Sequence, residues 1–130
     1  MALYESNYLR LLQLIPELER LDGCFRSRVA GDCDLHVAIL ERCRYTVTLS
    51  LTYFFASDNG NIADPDMTVR VYLDGQLAES MSIGDHQRHT GLRRRLRVHE
   101  PELDARWQRN VVLNKWLEYL SDQGHLILER

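Results

Sequence analysis

Lysine is almost missing from this chain: Lys115 is the only one, so nearly all of the 16 basic residues are arginine. Arginine's planar fork suits carboxylate and phosphate recognition better than a lysine point charge does, whereas GC-rich coding gives the plainer explanation. Net charge is only −3 and the pI about 5.9. A mildly acidic balance argues against general binding to nucleic acid or to an anionic membrane surface. Cysteine is scarce and odd in number. Cys24, Cys33 and Cys43 show no Cys-x-x-Cys spacing, which argues against a disulfide framework or a zinc site and for free thiols in a reducing compartment. The segment from Met1 to Asn7 has no basic region followed by an apolar run, so a secretory leader is not expected and a cytoplasmic location is. The longest uncharged run, Tyr45 to Ser57, is too short to span a bilayer, and no membrane association is expected. There is no Gly-rich phosphate loop, nucleophile elbow or Cys–His signature, so no cofactor is expected. Convergent active sites leave no linear trace, and an enzyme is therefore not excluded.

What is present is a regular alternation of apolar and polar residues. At 130 residues the chain is expected to form a single domain, 1–130, burying roughly two thirds of its unfolded surface. Tyr4, Tyr8, Leu11, Leu12 and Ile15 recur at helical spacing until Pro16 stops or kinks the helix. Strands are expected over Cys24–Ala30 and Cys33–Glu41, with a tight turn at Gly31-Asp32. The longest expected strand, Arg42–Phe55, would turn Tyr45, Val47, Leu49, Leu51 and Tyr53 inward and Arg44, Thr46, Thr48, Ser50 and Thr52 outward. A turn cluster follows from Ser57 to Asp66. Met67, Val69, Val71 and Leu73 then face the core, opposite Thr68, Arg70 and Tyr72. Asp74-Gly75 predicts a two-residue type I′ hairpin into a strand with Leu77, Glu79, Met81 and Ile83 on one face, where Glu79 marks an edge. Residues 84–98 fit a sixth strand slightly better than a helix. After Pro101, Leu103, Trp107, Val111, Leu113, Trp116, Leu117 and Leu120 form the apolar side of a last helix ending at Gly124. The expected fold class is α+β: an antiparallel sheet of five or six mainly meander-connected strands, with an N-terminal and a C-terminal helix packed on one face.

Three constellations carry possible chemistry. Arg44, Thr46 and Thr48 on one strand, Arg70 and Tyr72 on the next and His36 on a third would share the outer sheet face. Guanidinium and hydroxyl donors suit a phosphate or carboxylate, so a small anionic ligand or a partner protein is the expected occupant, with His36 as a pH-dependent contact. The plainer reading is an ordinary solvated sheet face. Asp85, His86 and His89, with Asp58, Asp64 and Asp66 elsewhere, could serve a metal-assisted hydrolase, but Gly84 and Gly91 place the His pair in a loop rather than on one helix face. Arg93, Arg94, Arg95 and Arg97 could contact phosphates, but four such contacts without stacking aromatics make a weak nucleic-acid site. A solvated edge beside Glu100, Glu102 and Asp104 explains them as well. A homodimer through an uncovered edge strand is a further possibility.

Asn7-Tyr8 with Leu11-Leu12 and Pro16, the run from Glu41 to Thr46, the run from Met67 to Tyr72 with Ala78-Glu79, and Asn110 to Leu117 together resemble the YqiB-like family of proteobacterial proteins. That resemblance covers most of the chain and implies a cytoplasmic domain of unknown function, with no activity attached. The chain departs from the family pattern between His86 and Pro101, where an Arg-rich run replaces a Tyr-Pro-Asn-like segment.

Overall fold

The computed structural model describes residues 2–57, 60–83 and 102–128. Helix α1 (Ala2–Leu14) is followed by strands β1 (Cys24–Ser27), β2 (Asp34–Arg42), β3 (Thr46–Ser57), β4 (Gly60–Tyr72) and β5 (Leu77–Ile83), and then by helix α2 (Glu102–Gln123). The five strands form one antiparallel meander in the order β1-β2-β3-β4-β5. Both helices cover the face that carries Leu35, Val37, Val47, Leu49, Leu51, Met67, Val69 and Val71, all buried in a core shared with Leu11, Leu14, Leu113 and Leu117. Each large aliphatic buried there contributes about 2 kcal/mol, which anchors the helices to the sheet. The α+β class and the meander expected from the alternation are therefore present. The expected sixth strand, Asp85/His86/His89 and the Arg93–Arg97 strip lie outside the described residues.

Pro16 has no N–H to continue α1, and the chain passes instead into irregular turns held by bonds from Leu18 N to Ile15 O and from Leu21 N to Glu17 O. The carbonyls exposed there are collected by Arg42, whose guanidinium donates to Leu18 O and Glu19 O at 2.9 Å and also to Leu21 O. Arg42 is the last residue of β2 rather than the first of β3. At the far end of the chain, α2 closes with Gly124 at φ +96°, His125 N bonded to Leu120 O and Gly124 N bonded to Ser121 O. This is the Schellman arrangement that a glycine stop predicts. His125–Leu128 forms no strand. It runs as an extended tail, with Ile127 N bonded to Leu14 O.

Several boundaries and one strand phase differ from expectation, each for a physical reason. The turn between β2 and β3 occupies residues 43–45, closed by Cys43 N to Thr46 O, so Tyr45 is 52% exposed instead of facing the core. β1 stops at Ser27, and the turn containing Gly31 is longer than a tight hairpin. The polar stretch expected to be a loop is mostly strand: Ser57 pairs with Gly60, and a bulge between Thr52 and Phe54 accommodates Asp64 and Pro65. Proline cannot donate to a regular ladder, and a bulge removes that demand. The hairpin after β4 has a four-residue loop, Leu73–Gln76, with Gln76 at φ 56°, not a two-residue turn at Asp74-Gly75.

In β5 the phase is reversed: Ala78 and Ser80 point inward and Glu79 outward, opposite Arg70. Small inward residues let both helices approach. Asn7 Nδ2 reaches Ala78 O at 3.4 Å, and Asn110 Oδ1 accepts Ser80 N–H at 2.7 Å. Trp107, expected on the apolar side of α2, is 51% exposed, while Asn110 takes the buried position one turn further on.

Candidate functional site

On the outer sheet face the register sets Thr46 beside Tyr72 and Thr48 beside Arg70, with Glu79 of β5 next to Arg70. Arg70 Nε lies 3.5 Å from Thr48 Oγ1, and Tyr72 donates its hydroxyl to Glu79 Oε1 at 2.7 Å. That bond to Glu79, together with burial, pushes the Tyr72 pKa up, and the nearby Arg70 guanidinium opposes the shift. These four residues are thus brought together as expected, with Glu79 joining them. Its outward phase was hidden because Leu77, Met81 and Ile83 suggested the opposite alternation.

The other two residues of the expected set do not join. Arg44 is not on β3; it sits in the 43–45 turn, its guanidinium 5.2 Å from the centroid of the exposed Tyr45 ring. A tight hairpin needs those residues for the reversal, and the cation then rests on the nearest aromatic face. His36 does lie on the outer face, but it pairs with Thr52, four residues along β3 from Thr48 and therefore about 13 Å away. Its ring packs edge-on against Phe54 with centroids 4.6 Å apart. Beside it, Thr52 donates to Asp66 at 2.9 Å. The outer face therefore holds one arginine, one carboxylate and several hydroxyls in one zone, with an aromatic contact at the other end.

A second polar centre lies inside the molecule and has no counterpart in the sequence expectations. His125 Nε2 is 2.9 Å from Asp32 Oδ2, and Nδ1 is 2.9 Å from Ser27 Oγ. Tyr119 donates to Asp32 Oδ1 at 3.4 Å, and Leu126 N–H donates to Ser27 Oγ at 3.2 Å. The buried Tyr53 hydroxyl approaches the same carboxylate without completing a strict hydrogen bond. Burial raises the Asp32 pKa, but the Tyr53 hydroxyl, the Cys33 amide and His125 outweigh it, holding the pKa below the ordinary carboxylate value. Burial, the largest cause, together with the neighbouring Asp32 carboxylate and Tyr119, pushes the Tyr53 pKa well up.

Ser27, His125 and Asp32 are bonded in the sequence nucleophile, base, acid that hydrolases use. Here, however, the serine residue is 5% exposed and its oxygen accepts the Leu126 amide. A hydroxyl turned inward and engaged in this way holds the tail. No linear signal could have found the cluster, because its partners are 93 and 98 residues apart. The one local hint was His125 directly after the Gly124 stop.

A third set, Asn7, Asn110 and Asn114, ties the helices together. Asn7 Nδ2 donates to Asn110 Oδ1 at 3.3 Å, and Asn114 Nδ2 donates to Asn7 Oδ1 at 3.0 Å and Ser6 Oγ at 2.9 Å. Among the described residues no three His, Cys, Asp or Glu side chains gather as a metal site, and no helix is long and apolar enough to cross a membrane.

An open antiparallel sheet with helices on one face and a mixed polar surface on the other defines a small two-layer α+β domain. The chain belongs to the family described as Protein of unknown function (DUF1249), whose model matches residues 10–126. No curated protein and no solved structure gave a significant match.

Proposed function

We propose that this domain is a non-enzymatic interaction module that binds a partner protein through the outer sheet face, with Thr46, Thr48, Arg70 and Tyr72 at its centre. The observation carrying this reading is the packing of both helices against the opposite face, which leaves these side chains side by side on β3 and β4. Mixed charge and hydroxyls on a sheet surface fit a protein partner, whose own polar groups can be matched across many contacts. A small anion is the second reading, supported by Arg70 beside the Thr48 hydroxyl. It has less to hold it, because Arg44 stands apart and the Tyr72 hydroxyl is engaged by Glu79.

Within the family we place the chain among its YqiB-like proteobacterial members. The resemblance at Asn7-Tyr8 and Asn110–Leu117 supports this, since Asn7 and Asn110 form the tie between the helices and β5. Free cysteines, two of them exposed, support a reducing cytoplasmic setting.

A photo-cross-linking residue at position 48 or 68, introduced in the native host, tests the main reading. Expected is one discrete protein adduct at both positions, absent at the helix-side position 13 and lost with Arg70→Ala. Adducts only at position 13, or adducts indifferent to Arg70→Ala, would contradict it. Inorganic phosphate at millimolar concentration shifting the Thr48 and Arg70 amides would favour the small anion instead.

A further inference from the structure

At the edge of the sheet, β1 pairs with β2 in a ladder that places Cys24 opposite Ala38 and Arg26 opposite His36. Ile39 N donates to Gly23 O at 2.8 Å, which sets the phase in which Phe25 and Ser27 turn their backbone groups towards β2. In an antiparallel ladder the alternate positions then point away. The N–H and C=O groups of Cys24 and Arg26 therefore face outward, and among the described residues no strand pairs with them.

Beside this edge lies a groove of about 680 Å³. Leu21, Phe25, Leu126 and Leu128 give it an apolar side, and Asp22 and Arg26 place one charge of each sign along it. Leu126 and Leu128 are exposed, on a tail that is itself held firmly by His125 and Ile127. The groove thus has a fixed far wall rather than a loose end.

We propose that the free edge of β1 and this groove form a strand-addition site for an extended segment of a partner polypeptide that alternates apolar and acidic residues. Outward backbone groups are satisfied in register only by another extended backbone. Side chains on one face of the added strand enter the groove against Phe25, Leu126 and Leu128, which calls for apolar residues. Those on the other face lie beside Arg26, exposed and without an ion pair among the described residues, which calls for carboxylates. Asp22, at the Gly23 end, repels an acidic residue there and so sets the register. This site is separate from the β3–β4 surface, and either can fail alone.

The test is an amide-shift titration of the labelled full chain with the acetylated, amidated peptide Glu-Leu-Glu-Val-Glu-Leu, and with its counterpart carrying Lys in place of each Glu. Expected are shifts at Cys24 and Arg26, with the acidic peptide binding about threefold more tightly, the size of one exposed ion pair. Arg26→Glu reverses that preference, and Leu128→Ser weakens both peptides. No shift at millimolar peptide, equal response to the two peptides, or light scattering that shows a dimer dissociated by Arg26→Glu would overturn the proposal. The last result would assign the edge to a second copy of the chain.

Discussion

The outer sheet face and the buried centre around Asp32 contain much the same kinds of side chain, yet they work under opposite conditions. Thr48 and Arg70 are half-buried and meet at 3.5 Å, so water can replace either partner at little cost. Asp32, Ser27 and His125 are removed from solvent, their side chains at 7% or less where Asp32 and His125 pair. An ion or hydroxyl there has no substitute partner. On the reading proposed above, polar residues of the outer face serve recognition, whereas those in the interior are bound to one another and hold the tail and helices in place.

Truncating the interior is expected to do the most damage. His125→Ala deprives the Asp32 carboxylate of its imidazole partner and frees the tail, at a cost of about 3 kcal/mol, read as a lower urea midpoint with unchanged slope. A loss below about 0.5 kcal/mol would mean that the centre is no more structural than the outer face. Asn110→Ala strands the Ser80 N–H and one donor of Asn7, and about 2 kcal/mol should be lost in the same assay. Because both changes act on buried groups, high salt should leave them nearly unaltered.

The Asp32 centre also imposes a pH dependence. Its folded pKa is held below the ordinary 3.8, so the folded state binds its proton less readily than the unfolded chain does. The resulting stability is fully present above 3.8 and is lost as pH falls through the lower folded value. Asp32→Asn should therefore flatten the acid limb of a stability–pH profile relative to the native chain. An unchanged acid limb would show that other carboxylates dominate there.

How much of this could be read from the residues follows the same division. Val47, Leu49 and Leu51 against Thr46, Thr48 and Ser50 exposed the face assignment of β3, because a two-residue period needs no knowledge of partners. Phase was lost in β5, where the inward residues are the small Ala78 and polar Ser80, chosen by the approach of Asn7 and Asn110 rather than by hydrophobicity. Arg44 looked like a strand residue because β2 and β3 run together without a glycine. The reversal at 43–45 is set by pairing that only the fold reveals. Of the residues singled out in the structure, Thr46, Thr48, Arg70 and Tyr72 were legible from alternation. Glu79, Asp32 and His125 were not, since each is defined by a distant neighbour.

The smallest expected effect gives the most direct test. If the β3–β4 face is open for recognition, the Thr48→Ala/Arg70→Ala double variant should unfold in urea within about 0.5 kcal/mol of the native chain. A loss of about 2 kcal/mol or more would mean these side chains are structural partners of something that covers them, and the surface would no longer be available to bind anything.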